Sequence, residues 1–191
     1  VLGSLAILSF EPFNLTIVNL LIFPLFFYLL VYINKKSKAF YRKKPYKKNL
    51  FIFGITFGFG FYLIGISWIT NSLTFDENFK VFIPFALILI PLFLSLFVGL
   101  VTLFIGPYLK LDFPSLILFS ASFAFSDYLR AIIFTGFPWN LWAYSFSWAT
   151  EIIQTLNILG MFSFNLILVC KIALSISYLI SEFGIIKTVF S

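Results

Sequence analysis

Asp127 and Arg130 are the residues of this chain best placed to do chemistry. They stand three apart in an apolar run, so a helix puts both on one face. A charge at the centre of a membrane helix costs about 3 kcal/mol even on lenient insertion scales, so such residues pair, face a bundle interior or snorkel. Arg130 falls within a turn of its helix end, where a cation offsets the negative end of the dipole and can hold a phosphate or carboxylate in fork geometry. Asp127 can keep it in place. The helix then runs into Thr135-Gly-Phe-Pro-Trp139-Asn140. Gly136 permits a turn with positive φ, Pro138 fixes the backbone there, and Phe137, Trp139, Trp142, Tyr144 and Trp148 read as cover for a membrane interface. Two readings fit these parts. One is a lipid-headgroup site with Arg130 on the phosphate, the other a salt bridge beside an aromatic belt.

Cys170 is the chain's one thiol, and no histidine accompanies it. A lone Cys can form no disulfide or metal cluster within the chain, and a thiol in hydrocarbon stays protonated and inert, so a structural role is expected for it. No metal and no cofactor is called for.

These residues must be positioned by membrane helices. With 61% hydrophobic and 10% charged residues and a mean hydropathy of +1.06, the 191-residue chain lies far from a soluble domain, which is about a quarter charged. The aromatic share of 22%, with 29 Phe, exceeds what interfacial anchoring requires. The Phe and Lys excess reads first as codon bias. The pattern predicts an all-α membrane protein, a polytopic transmembrane helix bundle. Residues 2 to 10 read as the end of a first helix broken at Glu11-Pro12, and complete spans follow over 15–33, 49–73, 81–106, 114–134 and 152–180. A further apolar run begins before Ser191, giving five complete spans plus partial first and last ones. Both ends look cut.

Residues 35–48 carry eight basic residues and no acid. Short loops rich in Lys and Arg stay on the cytoplasmic side, which puts 135–150 on the outer face. Such a run can bind nucleic acid or anionic lipid, but between two spans it reads as a topogenic loop touching lipid, with no nucleic-acid partner. Gly54, Gly58 and Gly65 share a face of the third helix and predict a close packing seam. Trp68, one turn on, points from that side to the outer interface, either as an ordinary belt residue or beside the site. In the last complete span, Gln154, Asn157, Met161, Phe164, Leu168, Lys171, Ser175, Tyr178 and Glu182 form a stripe expected to face protein. Lys171 either faces the interior or snorkels to the inner headgroups. Pro84 and Pro91 either kink the fourth span or are tolerated near an end.

At these residues the sequence resembles the apolipoprotein N-acyltransferase family of bacterial inner membranes. The resemblance rests on Asp127-Tyr-Leu-Arg130, Thr135-Gly-Phe-Pro-Trp139-Asn140, Gln154 and Asn157-Ile-Leu-Gly160. Upstream it includes Gly58-Phe-Gly60, Gly65-Ile-Ser-Trp68-Ile-Thr-Asn71-Ser72 and Leu8-Ser-Phe-Glu-Pro12-Phe13. It implies a multi-pass protein of the inner membrane with eight helices and a periplasmic nitrilase-like domain inserted before the last. In that domain a Glu-Lys-Cys triad takes an acyl chain from a phospholipid as a thioester and passes it to a diacylglyceryl apolipoprotein. None of the triad has a counterpart here, and Cys170 does not fill the place. The resemblance therefore implies a membrane domain, 1–191, that is inactive alone and admits phospholipid donor and apolipoprotein acceptor. Arg130, Phe137, Pro138, Trp139 and Trp68 are expected to line the approach, with Asp127, Gly136, Gln154 and Lys171 in support. Asp127 stands where the family more often has Glu. Competing readings are a scaffold that has lost its catalytic domain and a lipid or solute transporter, the latter disfavoured by the absence of a visible repeat.

Overall fold

The computed structural model describes residues 1–40, 45–133 and 140–182, with side-chain surroundings for 1–38, 46–133 and 140–171. The described residues form helices and connecting turns, with no strand among them. The helices are α1 (Leu2–Ala6), α2 (Ile17–Phe40), α3 (Pro45–Gly65), α4 (Ile83–Ile105), α5 (Phe113–Ile133), α6 (Thr150–Gln154), α7 (Leu156–Leu159) and α8 (Met161–Glu182). Four stretches are long and apolar enough to cross a membrane: Ile17–Lys38, Tyr46–Gly65, Glu77–Tyr108 and Phe113–Ile133. A fifth crossing follows if the bent pair Thr150–Leu159 and Met161–Lys171 counts as one span. This is the helical membrane bundle expected.

Two expected spans change shape. The third stops as an α-helix at Gly65 and continues as a 3-10 helix over Ser67–Thr74, where Ser67, Thr70, Ser72 and Thr74 each donate a hydroxyl to the carbonyl three residues back. The stretch 152–180 is not one helix. Gly160 sits at φ +74°, which glycine adopts without a Cβ clash, and the helical path bends there by 119°. The break also dissolves the expected polar stripe: Phe164 and Leu168 are buried, whereas Gln154, Asn157 and Lys171 are exposed. Pro84 lies in the first turn of α4, and Pro91, like Pro24 in α2, lies within its helix.

The glycines pack as predicted, with one change of partner. A Cβ at Gly54 would lie 2.1 Å from Thr102 Oγ1, and one at Gly58 would lie 3.0 Å from Ser95 Cα, so both admit α4. Thr102 uses that proximity, its hydroxyl lying 2.9 Å from the Leu50 carbonyl across the seam. Gly65 instead makes room for Asn140 and Ile7. On the other side of α3, Gly3 of α1 lies so close that a Cβ would stand 1.9 Å from the Phe57 carbonyl oxygen.

The phenylalanines build much of the core. Phe23, Phe26, Phe119 and Phe123 interlock across α2 and α5, and Phe57 stacks on Phe26 at 4.0 Å between ring centroids. Edge-to-face and stacked pairs are each worth roughly 0.5–1.5 kcal/mol beyond the area they bury. Whatever the codons favoured, the rings are used.

Candidate functional site at the end away from the basic loop

Arg130 lies in the last turn of α5 and donates from Nη2 to Asp127 Oδ1 at 3.0 Å. Both are buried, Arg130 at 2% and Asp127 at 7% exposure. The guanidinium carbon stands 5.1 Å from the ring centre of Tyr62 on α3, a cation–π distance. Arg130 Nε and Nη1 are buried without a hydrogen-bond partner among the described residues. The predicted pair is therefore real, and it faces the bundle rather than lipid.

Sequence reasoning missed the third member of this network. Asn165 of α8 is fully buried; its Nδ2 donates to Asp127 Oδ2 at 2.9 Å, and its Oδ1 accepts the Ala143 backbone N–H at 3.1 Å. One amide thus ties the charged helix to the segment around Ala143. The available signal was a lone Asn in the run Met161-Phe-Ser-Phe-Asn165-Leu-Ile-Leu, one position beyond the assumed stripe.

Thr135, Gly136, Phe137, Pro138 and Trp139 lie outside the described residues. Beyond them, Asn140 has φ +49°, a left-handed conformation that Asn tolerates better than most residues. Trp142 corrects the expectation of an interfacial belt. It is buried, 4.2 Å from Phe23 and 4.7 Å from Phe61 between ring centroids, because Leu141 to Ala143 turn inward under the Asn165 bond. Trp148 is exposed at 56%, as a belt residue should be, and its Nε1 donates to Thr16 Oγ1 at 3.0 Å. Ser147 donates to Glu11 Oε1 at 3.0 Å. These two bonds fasten the segment to the loop between α1 and α2.

Between that loop, the end of α3 and the 140–147 segment lies a cavity of ≈ 500 Å³, lined by Phe10, Glu11, Phe13, Trp68, Asn140 and Tyr144 among others. Its size suits one small ligand or one lipid headgroup. Asn140 Nδ2 is buried there without a partner among the described residues, in the space that the missing Gly65 side chain leaves. Trp68, 55% exposed, is brought to this cavity; Gln154 and Lys171 are exposed and take no part in the Asp127 network. Cys170 is partly buried, and no cluster of three or more potential metal ligands occurs among the described residues.

Apolar spanning helices closed at one end by a buried Asp–Arg–Asn network and an aromatic cavity define a polytopic α-helical membrane domain. The chain belongs to the apolipoprotein N-acyltransferase N-terminal domain family, whose profile matches residues 2–174. It is 28% identical to the apolipoprotein N-acyltransferase of Brucella melitensis biotype 1 over 162 residues, 83% of this chain and 30% of the relative. Against that of Rhodopseudomonas palustris it is 28% identical over 172 residues, 90% of this chain and 31% of the relative. Against that of Rickettsia bellii it is 35% identical over 117 residues, 61% of this chain and 23% of the relative. The chain thus spans about three-tenths or less of the length of these relatives.

Proposed function

We propose that this domain is the membrane platform of an apolipoprotein N-acyltransferase in the bacterial inner membrane. On this reading 35–48 is cytoplasmic and 135–150 faces the periplasm. The phospholipid acyl donor and the diacylglyceryl apolipoprotein acceptor approach at that outer end. Trp68, Phe137, Pro138 and Trp139 line the approach, and Arg130, paired with Asp127, stands in the last turn of the helix that leads to it. A nitrilase-like domain of the same polypeptide supplies the Glu-Lys-Cys chemistry, and the platform alone transfers no acyl group. The observation that carries this reading is the cavity at Trp68 and Asn140, bordered by the 140–147 segment that Asn165 ties to the buried Asp127–Arg130 pair, in a chain of this family.

The test is to express the complete coding frame in a bacterium depleted of its own enzyme and to follow the third acyl chain on a lipoprotein N-terminus by mass spectrometry. The expected outcome is restored N-acylation, with Trp139→Ala and Trp68→Ala each lowering the rate several-fold at unchanged membrane insertion. Inserted protein with no acylated product would reject the enzyme reading. Unchanged rates in both variants would remove the site assignment alone.

A further inference from the structure

At the opposite end of the bundle a second cavity, ≈ 550 Å³, opens between the end of α2 and the start of α3. Lys36, Ser37, Asn49, Tyr32 and Thr56 supply its polar lining, the Thr56 hydroxyl donating to the Ile52 and Phe53 carbonyls of its own helix, and Ile33, Ile52 and Phe53 form apolar walls. Asn49 Nδ2 donates to Ser37 Oγ at 3.1 Å, and among the described residues the Ser37 hydroxyl proton and the second Asn49 amide proton remain for an outside acceptor. Lys36 is exposed, with Nζ 5.6 Å from the Tyr32 ring centre, and no carboxylate pairs with it among the described residues. Lys38, by contrast, is engaged: it donates to the Pro107 carbonyl at 2.7 Å.

Lys36, Ser37 and Asn49 thus offer one cation and two neutral donors, and no acidic side chain lines the cavity among the described residues. α3 begins beside it, so the positive end of that helix dipole adds to the field, as do Lys47 and Lys48 in its first turn. An anionic oxygen cluster fits the polar end. Below it the lining is apolar, and Ile52 is 47% exposed in a helix long and apolar enough to cross the membrane. A free anion would leave those walls against nothing, whereas an acyl chain covers them and brings its phosphate to Lys36. Charge and shape together match an amphiphile with a negatively charged head.

We propose that the groove between α2 and α3 binds one anionic phospholipid of the adjoining leaflet, its phosphate on Lys36, Ser37 and Asn49 and an acyl chain along Ile33, Ile52 and Phe53. This lipid is distinct from any acyl donor, being held at the basic end, away from the Trp68 cavity. It stitches the second helix to the third where the loop between them is most strongly charged.

The test uses the full chain in neutral detergent, with phosphatidylglycerol or phosphatidylcholine added and retained lipid counted by native mass spectrometry. Phosphatidylglycerol should be retained in preference to phosphatidylcholine, and Lys36→Gln should reduce that preference about fivefold, the factor one basic residue near an anionic surface is worth. Lys80→Gln, at the far end and paired with Glu77, should leave it unchanged. Glycerophosphoglycerol, the same head without chains, should fail to compete. Equal retention of the two lipids, an unaltered preference in Lys36→Gln, or full competition by the chainless head would each overturn the proposal. Loss of acyl transfer in Trp139→Ala has no bearing on it, so the two sites fail separately.

Discussion

Asn165 gives its amide N–H to Asp127 and takes the Ala143 N–H on its carbonyl, so one side chain fully enclosed in α8 fixes both the charged helix and the chain that follows the aromatic turn. Asp127 is satisfied by two partners from two directions, Arg130 along its own helix and Asn165 across the bundle. The pair alone would neutralise charge. The amide converts a neutralised pair into a fixed corner.

Replacing Asn165 by Leu should lower thermal stability in detergent by about 2 kcal/mol, since it strands a buried carboxylate oxygen and a buried backbone N–H. Asn157→Leu, at an exposed position, should stay within about 0.5 kcal/mol of wild type. Thermal unfolding followed by fluorescence compares the two. Equal stability of both variants would sink the proposed corner.

The glycine contacts predict an order of damage. Gly3→Ala places a methyl group against the Phe57 backbone carbonyl, which cannot rotate away, so α1 must separate from α3 at a cost of about 1–3 kcal/mol. Gly60→Ala meets the Ser4 hydroxyl at 2.8 Å, and that side chain can swing aside. Gly3→Ala should therefore be the worse of the two by denaturant midpoint, and the reverse order would contradict the α1–α3 packing described.

Asp112 caps α5: its Oδ1 accepts the Ser115 N–H at 2.9 Å, while Ser115 Oγ accepts the Lys110 N–H at 2.9 Å. The bonds from Ser115 hold the Asp112 carboxyl below the usual range. A depressed folded-state value means that the cap's contribution is present above the unfolded pKa of about 3.9 and is lost as pH falls through the folded value. Stability should thus fall on acidification below about pH 4, and Asp112→Asn should flatten that limb. An acid limb identical in both proteins would show that the cap is not its source.

Hydropathy was enough to read the helices, because an apolar run long enough to cross a bilayer has few other folds. The seam at Gly54 and Gly58 was legible for a similar reason, since small residues at helical spacing exist to admit a neighbour. The pair Asp127–Arg130 was legible because both members sit on one helix. What escaped was whatever depends on contacts distant in sequence. Asn165 looked like an isolated amide until α8 was placed beside α5. Trp142 carried the composition of a belt residue, yet it turns inward because Phe10, Phe23 and Phe61 leave a space for it. Gly160 lies inside a stretch long enough to be read as one span, and its positive φ revealed the break.

The three-residue spacing of Asp127 and Arg130 also bears on how the protein is made. Asn165 lies 38 residues after Asp127, so it leaves the ribosome after α5 has been synthesised. Arg130 needs no such wait: it pairs within its own helix as soon as one turn has formed. The helix can therefore enter the bilayer as a locally neutral unit, and the late arrival of α8 locks a segment already in place. A variant that moved the arginine onto another helix could preserve the finished contact and still leave the aspartate unaccompanied at the moment of insertion.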